Sequence, residues 1–418
     1  MTGSGTELDP YIIGDVNDLQ DVANDLDAYY ELGGDIDASG TSSWNGGQGF
    51  APIGNFEGDF DGKSHTIWGL YINRTQSGVG LFTGLKTGAY IHNFYIRQAE
   101  VHGTYVNTGT IAAGAAILCG VIFNQSPTIS RVGVYGTCSL ATNSTNEYTF
   151  GAAGGIAGYT RYTDAQISEC YSAVSVSVTG LNKAVPVGGG FIGVWDGDLI
   201  ENAYSRCNVT VTGPYLPRAG GFVGYHDGGT IGNAYSTGAP TADTIGGFSA
   251  YKASGTVTAC FWDIQTSGTG SSPGGGTGKT TAQMQTEATY TDAGWDFATV
   301  WSMDDGGYND GYPILLMLPA QAGSEGYLWV EGTELAYTGS DEIKRTTEGT
   351  LDGATGQTAG YLWVEGNNLR YIDSIGNERY IAGSAGAASG QTPGHIWIET
   401  TTLRYIDSSG NERYYEGT

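Results

Sequence analysis

Positive charge is scarce in this sequence of 418 residues. Lysine and arginine together number 17, against 43 aspartates and glutamates, and the formal net charge is −26. Because phosphate binding requires clustered basic side chains, the composition argues against a nucleic-acid partner. The acidic excess fits a self-repelling surface in an extracellular or saline setting. A simpler alternative stays open, in which acidity only keeps an extended β protein soluble.

Long apolar segments are missing as well. The longest apolar run, 111–123, is interrupted by Gly114 and Gly120, so we expect no membrane insertion. The first six residues are polar and contain no charged stretch followed by an apolar one, so no secretory signal is recognised. We therefore expect either a signal that was removed or another route out of the cell, such as release on a virus particle.

Closely spaced cysteines are also absent. The five cysteines are Cys119, Cys138, Cys170, Cys207 and Cys260. An odd number without close pairs makes a poor disulfide framework, and none has the CxxC spacing of a metal site. Cys170 stands before a tyrosine at the place where Ala203 and Ala234 stand before theirs. This predicts a small buried position that recurs along the fold.

Glycine, with 70 residues, and tyrosine, with 28, are abundant. Together with threonine, serine and valine they predict many short strands joined by tight turns. Gly-Gly-apolar triplets begin at Gly154, Gly189, Gly220 and Gly246, with intervals of 35, 31 and 26 residues. In the last three units an aromatic residue follows the apolar one after thirteen positions: Phe191 and Tyr204, Phe222 and Tyr235, Phe248 and Phe261. Such repeats predict the stacked rungs of a solenoid.

Residues 1–35 are predicted to form an N-terminal cap with a short helix. Asp15 can cap a helix whose apolar face carries Leu19 and Val22. A cap of this kind covers the unpaired strand edge at the end of a solenoid. The solenoid itself, with its rungs and a closing cap, is predicted over residues 36–318.

The order of short motifs in this region is distinctive. The motifs are Pro52-Ile53-Gly54, Phe60-Asp61-Gly62, Gly80-Leu81-Phe82, the repeated Gly-Gly-Phe units, Phe261-Trp262-Asp263 and Gly278-Lys279-Thr280-Thr281. Over residues 7–318 this order resembles the GLUG-motif β-solenoids of bacterial surface and adhesin-like proteins. The resemblance implies a right-handed β-helix used in surface attachment, with no particular ligand and no catalytic residues. Residues 112–140 depart from the pattern, because 115–118 replace the glycine pair, so we expect an irregular rung there.

A different repeat follows, with a period of 34 residues. Gly-Tyr-Leu-Trp-Val-Glu at 326–331 recurs at 360–365 and, as Gly-His-Ile-Trp-Ile-Glu, at 394–399. Alternating strands and Gly-Asn turns predict three β-hairpin modules, at 319–350, 360–384 and 394–418, separated by linkers at 351–359 and 385–393. Modules this small need partners to bury a core. The residues expected to pack or dock are Trp329, Trp363, Trp397, Tyr371 and Tyr405.

These terminal modules resemble repeats in tailed-phage structural proteins, such as fibre and decoration proteins. The complete fold-class prediction is an all-β protein: a capped right-handed β-solenoid, or β-helix, followed by three small tandem β-hairpin modules.

The sequence offers little evidence of catalysis or cofactors. The Asp35/Asp37 and Asp59/Asp61 pairs fit turns, and the glycine-rich segment 274–280 fits a loop before the closing cap and lacks the spacing of a phosphate-binding loop. We therefore expect no catalytic residue and no metal. A surface calcium near Asp304, Asp305 and Asp310 is the one cofactor alternative, although those residues lack EF-hand spacing.

Aromatic residues near the Gly-Gly-apolar strands are the candidates for ligand binding. They are Tyr159, Tyr162, Trp195, Tyr215, Tyr225 and Tyr251. Aromatic rings beside aspartate, asparagine and glycine suit sugar binding, because a ring stacks on the apolar face of a pyranose. The alternative is that these rings only cover the solenoid or form subunit contacts.

These observations predict a non-enzymatic structural and adhesive protein at a virion surface or another extracellular location. The leading interpretation is a phage fibre, spike or head-decoration protein that attaches to a host surface or glycan. The expected partners are other copies of the chain in a homotrimer, a capsid or tail protein, and host cell-surface polysaccharide. The alternatives are a secreted bacterial surface adhesin and a β-helix polysaccharide depolymerase.

Overall fold

The computed structural model describes residues 1–107, 112–146, 149–304 and 309–316, and beyond these the backbone of eleven strands between Leu328 and Glu416. The chain divides into two units. The first contains Met1–Ser302 and Leu315–Leu318, and the second contains Met303–Ile314 and Pro319–Thr418.

Short strands dominate the chain from its start. In order, the elements are β1 (Tyr11–Ile13), α1 (Val16–Asp21), β2 (Tyr29–Leu32), β3 (Ile36–Asp37), β4 (Ile53–Phe56), β5 (Asp59–Trp68), β6 (Tyr71–Thr75), β7 (Gly78–Val79), β8 (Phe82–Leu85), β9 (Tyr90–Asn107), β10 (Ala113–Ala115), β11 (Cys119–Phe123), β12 (Thr128–Ser144) and β13 (Phe150–Ala153), with 3-10 turns at Val22–Asn24 and Ser39–Gly47. They continue with β14 (Ala157–Arg161), β15 (Gln166–Asn182), β16 (Val185–Gly189), β17 (Ile192–Ser205), β18 (Val209–Thr212), β19 (Arg218–Gly220), β20 (Val223–Ser236), β21 (Pro240–Thr241), β22 (Thr244–Gly246), β23 (Ser249–Lys252), β24 (Thr256–Thr258), β25 (Phe261–Asp263), β26 (Thr277–Lys279), α2 (Thr281–Met284), α3 (Ala288–Thr291), β27 (Trp301–Met303) and β28 (Pro313–Leu315).

Strands β1 to β26 form the stacked parallel rungs that the repeat predicts. One sheet contains twenty strands, and a second contains β7, β10, β13, β16, β19 and β22 in adjacent positions. Successive rungs pair in parallel, so that Tyr171 lies beside Tyr204 and Tyr204 beside Tyr235. The prediction of an all-β solenoid is confirmed, and its parallel pairing follows from placing each repeat one strand spacing above the last.

Equivalent aromatic residues stack inside the solenoid. The rings of Tyr171, Tyr204 and Tyr235, which we call the inner aromatic column, are 5.0 Å apart at each step and within 7° of parallel. Phe191, Phe222 and Phe248 form a second stack at 4.6 and 4.8 Å. These residues are buried. The thirteen-residue interval from Phe191 to Tyr204 and from Phe222 to Tyr235 keeps both stacks in register. Burial of each large apolar side chain stabilises the fold by about 1.5–3 kcal/mol.

The Gly-Gly-apolar triplets form the sharp corners between the two sheets. At Gly189 an added Cβ would lie 1.8 Å from the carbonyl oxygen of Ile192. At Gly224, two residues after the triplet at 220–222, an added Cβ would lie 2.5 Å from Val187 Cγ1 and 2.6 Å from the Gly188 oxygen. The backbone segments on the two sides of a corner therefore approach closely enough to exclude any side chain at these positions.

Short helices lie near the first and the last parallel strands. The Asp15 carboxylate accepts hydrogen bonds from the backbone of Asn17 and Asp18, which caps α1 and confirms the predicted helix start. At the other end, Thr280 and Gln283 form a capping box that begins α2. The prediction of a loop over 274–280 is wrong for Thr277–Lys279, which pair in parallel with β25 as a final short strand.

The cysteines occupy buried positions. All five are free, and Cys170 pairs in register with Ala203, which pairs with Ala234. The predicted small position of the ladder is confirmed. Burial raises the pKa of the Cys170 thiol to about 12, so this thiol is protonated and unreactive at neutral pH.

The second unit contains three antiparallel sheets. Its strands are β29 (Leu328–Glu331), β30 (Glu334–Thr338), β31 (Lys344–Glu348), β32 (Thr350–Ala354), β33 (Leu362–Glu365), β34 (Asn368–Ile372), β35 (Asn377–Ala382), β36 (Ser384–Ala388), β37 (Ile396–Glu399), β38 (Thr402–Ile406) and β39 (Asn411–Glu416). Antiparallel hairpins are formed by β29 with β30, β33 with β34, and β37 with β38. However, β32 and β36 each begin at the border of a segment predicted to be a linker and extend into it. They pair with β35 and β39, respectively. A fourth strand satisfies the backbone groups of an edge that a three-stranded sheet would leave unpaired.

Candidate functional site

A second apolar cluster lies apart from the main core of the solenoid. Its buried members are Ala112, Ala152, Tyr159, Val185, Val187 and Val194, and Val121, Phe123, Phe150, Tyr215 and Tyr225 pack against it while remaining half-buried. Several aromatic and arginine side chains gather at this cluster. We call the following set the outer aromatic cluster: Phe123, Phe150, Tyr159, Arg161, Arg218, Tyr225 and Tyr251.

Strand register explains why these side chains meet. Tyr159 pairs with Val194, Val194 with Tyr225, and Tyr225 with Tyr251, so one repeat position forms a continuous column over four rungs. On the other side of the glycine corner, Val187 pairs with Arg218. The sharp corner brings these two columns against each other, because no side chain separates the backbone segments at the glycines.

The aromatic rings contact one another across rungs and across the corner. The ring centroids of Tyr225 and Tyr251 are 5.1 Å apart with an interplanar angle of 25°. Phe150 lies 5.1 Å from Tyr225 and 6.0 Å from Tyr159, which in turn lies 5.2 Å from Phe123. Because Tyr251 is 41% exposed and Tyr225 is half-buried, this aromatic surface reaches solvent.

Two arginines are inserted into this aromatic surface. The guanidinium carbon of Arg218 lies 4.4 Å from the ring centroid of Tyr251 and 5.0 Å from that of Tyr225. Arg161 lies over Tyr162 at 4.7 Å, and its Nη1 donates a hydrogen bond of 3.4 Å to Tyr159 Oη. Burial lowers the pKa of Arg218, but the group stays charged at any physiological pH.

Two carboxylates complete the polar part of the site. Asp196 Oδ2 accepts a hydrogen bond of 2.9 Å from the backbone N–H of Tyr162. Asp227, two residues after Tyr225, has its pKa raised by burial and by the charge of Asp196, while Arg161 opposes that rise. Aromatic faces together with hydrogen-bonding acceptors and donors can hold a sugar ring by its apolar face and its hydroxyl groups.

The structure places the six predicted glycan-binding residues in different surroundings. Tyr159, Tyr225 and Tyr251 belong to the outer aromatic cluster, and Tyr215 packs against it. Tyr162 is 64% exposed beside Arg161. Trp195 is fully buried in the main core, so the candidate surface does not include it.

Sequence reasoning missed four members of this cluster: Phe123, Phe150, Arg161 and Arg218. The signal for two of them was present in the repeat. Arg218 stands two residues before its glycine pair, where Val187 stands before Gly189, and Phe123 pairs in register with Arg161. Aligning the repeats by their glycines and noting the residues on both sides of the corner would have identified these positions.

Of the aspartate pairs that a depolymerase could use, Asp59 and Asp61 line a pocket close to the N-terminus of the chain. Its walls are formed by Glu7, Pro10, Tyr29, Tyr30, Glu31, Asp59, Asp61 and His92. Lys63 pairs with Glu31 at 2.9 Å and with Asp61 at 3.4 Å. Asp59 lies 3.0 Å from His92 Nε2, and Asp61 also accepts from the backbone N–H of Lys63. Each of these two aspartates therefore has a structural partner. The prediction that they lie at a turn is wrong, because both belong to β5 (Asp59–Trp68).

The suggested calcium ligands are only partly described. Asp304 Oδ2 accepts hydrogen bonds from the backbone of Asn309 and Gly311, at 2.6 and 3.1 Å, which fixes a local turn. Asp305 lies outside the described residues. Among the residues with described side chains, no group of three or more histidine, cysteine or acidic side chains could hold a metal ion.

The predicted docking residues occupy equivalent backbone positions in the three antiparallel sheets. Trp363 pairs with Arg370 and Trp397 with Arg404, while Trp329 pairs with Ala336. Tyr371 and Tyr405 lie on the partner strands β34 and β38. Their side chains lie outside the described part of the chain, so their packing and docking role stays a prediction. No helix within the described ranges has the length and apolar character needed to cross a membrane.

The known proteins to which this chain is similar are much longer, and the chain spans only a small part of their length. No protein-family model matches. A stretch of 328 residues, 75% of the chain, is 36% identical to halomucin of Haloquadratum walsbyi and spans 3% of that protein. A stretch of 139 residues, 32% of the chain, is 32% identical to a "Putative Gly-rich membrane protein" of Evansella cellulosilytica and spans 15% of it.

A solved structure shares the fold. A "putative immunoglobulin A1 protease from Bacteroides ovatus" superposes with a TM-score of 0.52 at 22% sequence identity, covering 75% of this chain and 94% of that one. At this identity the likeness concerns the fold alone. The narrower resemblances, to GLUG-motif proteins and to phage modules, stay predictions. The chain therefore contains a parallel, β-helix-like solenoid of a kind already known from a solved structure.

Proposed function

We propose that this chain works in surface attachment outside the cell and that its solenoid binds glycans through the outer aromatic cluster. The observation that carries the proposal is the exposed Tyr225–Tyr251 stack, flanked by Arg218 on one side and by Asp227 on the same strand. Stacked rings that reach solvent can pack on the apolar face of a pyranose. The charged groups beside them can form hydrogen bonds with its hydroxyl groups.

Burial of this apolar surface by itself would not require these polar groups. Aliphatic side chains would be enough to cover the solenoid. One rung away, Val187 and Val194 occupy the positions equivalent to Arg218 and Tyr225. Here the covering residues are tyrosine and arginine, two residue types enriched where proteins bind partners. This distribution supports a binding surface over a simple cover.

The setting that we propose is a cell surface or its secreted matrix. Three observations support it: the net charge of −26, the adhesive role implied by the sequence resemblance, and similar proteins that belong to cellular organisms. The virion role predicted from the terminal repeats is the narrower alternative. Mass spectrometry of cell-envelope fractions and of purified virus particles from the source distinguishes them, and abundant protein in virus particles would overturn the cellular setting.

A glycan array probed with the purified full chain tests the binding function. We expect binding to a subset of surface polysaccharides, and we expect the double variant Tyr225→Ala/Tyr251→Ala to lose it. The matched control is Tyr29→Ala, which removes a tyrosine of similar exposure, 36%, outside the cluster. No glycan bound by the wild-type chain, or equal loss in the control, would contradict the proposal.

A further inference from the structure

We infer that the outer aromatic cluster selects acidic polysaccharides, recognising the carboxylate groups of their sugars with Arg161 and Arg218. This inference rests on the proposed glycan-binding function and names the class of glycan. It begins from a contrast in charge: basic residues number 17 in a chain with 43 acidic residues, yet two arginines lie within one small aromatic surface.

These arginines differ from other basic side chains of the same unit. Arg131 is paired with Glu169, Lys63 with Glu31, and Lys86 with Glu57. In the part of the chain with described side chains, neither Arg161 nor Arg218 has a carboxylate partner within ion-pair distance. An arginine that is partly buried without a counter-charge is the group that an incoming anion would neutralise.

The position of Arg218 suits such an anion. Its guanidinium carbon lies over the rings of Tyr225 and Tyr251, 5.0 and 4.4 Å from their centroids. A cation–π contact does not use the N–H groups of the guanidinium, so they can still donate hydrogen bonds. A carboxylate can accept two of these N–H groups at once, which fixes both its position and its orientation.

Arg161 provides a second contact farther along the solenoid. Arg161 lies on β14. Arg218 lies on β19, which directly precedes β20, the strand that carries Tyr225. The β14 rung is two strand steps from the β20 rung, so the two positions differ by about 10 Å along the stack at the usual strand spacing. Two cations at separate rungs suit a polymer with repeated acidic units better than a single acidic sugar, because both can be engaged by one chain.

Asp196 and Asp227 limit this attraction without cancelling it. Asp227 interacts electrostatically with Arg161 and with Tyr225, but it lies beyond ion-pair distance from either arginine. Both aspartates can accept hydrogen bonds from sugar hydroxyl groups. We therefore expect them to disfavour anions that lack hydroxyl groups, so that charge alone does not give binding.

The experiment compares matched polymers with the full chain. Polygalacturonate and alginate present carboxylates, fully methyl-esterified polygalacturonate has the same sugar without the charge, dextran is a neutral glycan, and polyglutamate has the charge without the sugar. These probes accompany an array of acidic and neutral glycans. We expect the bound glycans to be acidic, and we expect esterification to weaken binding by roughly tenfold or more.

Variants connect that preference to the two arginines. Arg218→Gln and Arg161→Gln should each reduce affinity for the acidic glycan by roughly tenfold, and the pair should remove the preference for the acid over its ester. Arg218→Lys, which keeps the charge and loses the planar fork, should have an intermediate effect. Arg131→Gln is the control, since it removes a paired arginine elsewhere, and unchanged unfolding midpoints show that the variants still fold.

The outcomes separate the two proposals. Binding restricted to neutral glycans would overturn the acidic preference and leave the glycan-binding function intact. Equal binding of polyglutamate and of the acidic glycan would also overturn it, because charge alone would then suffice. Binding to no glycan would overturn the proposed function itself.

Discussion

The inner aromatic column and the outer aromatic cluster use the same side chain at repeated positions, with different consequences. Tyr171, Tyr204 and Tyr235 are buried and stack within 7° of parallel. Tyr225 and Tyr251 stack at 25° and reach solvent. The difference teaches that register alone creates a column of tyrosines, whereas the surroundings of the column decide whether it is buried in the core or reaches solvent.

The outer cluster is also less uniform than the inner column. Over four successive rungs, its repeat position is occupied by Tyr159, Val194, Tyr225 and Tyr251. The inner column retains tyrosine in three successive rungs. Interior packing constrains each side chain by the one above it, because a change in volume leaves a cavity or a clash. Tyr159 and Val194 are buried as well, so only the end of the outer column, where Tyr251 is 41% exposed, is free of this constraint on its solvent side.

The largest expected effect comes from breaking the inner column. Tyr204→Ala should lower the free energy of unfolding by about 3–5 kcal/mol, because it removes a buried ring that stacks on both neighbours. Thermal and denaturant unfolding of the full chain measures this loss. An unfolding midpoint equal to that of wild type would contradict the assignment of this column to the core.

The glycine corner that brings the column of Tyr225 against the column of Arg218 should be nearly as sensitive to substitution. Gly224→Ala would place a Cβ 2.5 Å from Val187 Cγ1, and we expect a loss of about 1–3 kcal/mol together with weaker glycan binding. Gly232→Ala, on the same strand, is the matched control, since an added Cβ there meets nothing within 4 Å. Similar destabilisation by the two changes would show that strand flexibility, and not the close approach, is responsible.

In the outer cluster, by contrast, a substitution should reduce glycan affinity and leave stability nearly unchanged. Tyr251→Ala removes an exposed ring that packs on Tyr225 and Arg218, so we expect the unfolding midpoint to change little. Affinity for the bound glycan should fall by several-fold to about tenfold, as expected for loss of one aromatic contact. Calorimetric titration measures the affinity. A large loss of stability with unchanged affinity would assign Tyr251 to the fold.

The smallest effect that we expect is a dependence of stability on pH. His226 follows Tyr225 on β20 but is fully buried, and burial lowers its pKa below the usual 6.5. Near neutral pH the residue is uncharged in both states. As the pH falls below 6.5, the unfolded chain binds a proton that the folded chain resists, so stability decreases.

His226→Gln should remove this part of the acid sensitivity. Unfolding midpoints of wild type and variant from about pH 7.5 to about pH 5 test the expectation. The wild-type curve should fall more steeply over this range. Parallel curves would show that His226 is not the group responsible.

Much of the solenoid could be predicted from the sequence because it is repetitive. The thirteen-residue interval predicted the stacked aromatic residues, and the shared place of Cys170 and Ala203 predicted a small ladder position. Asp15 marked the start of the first helix. Each of these features depends on local spacing, which translation from one rung to the next preserves.

The candidate site was only partly predictable. Strand alternation combined with the repeat would have excluded Trp195, which pairs with the buried His226, and would have retained Tyr225. Arg218 was missed because it approaches Tyr225 and Tyr251 from a different strand. Similarly, pairing of β32 with β35 depends on an edge that only the assembled sheet presents.

The sequence by itself determined the rungs, their register and the residues that stack within them, since these follow from repeated spacing along the chain. Only the tertiary structure decided that the columns of Tyr225 and Arg218 meet across a glycine corner. The physical reason is that alternation fixes the face of a strand on which a side chain lies. The angle between strands, set here by backbone contacts at glycines, fixes which faces come together.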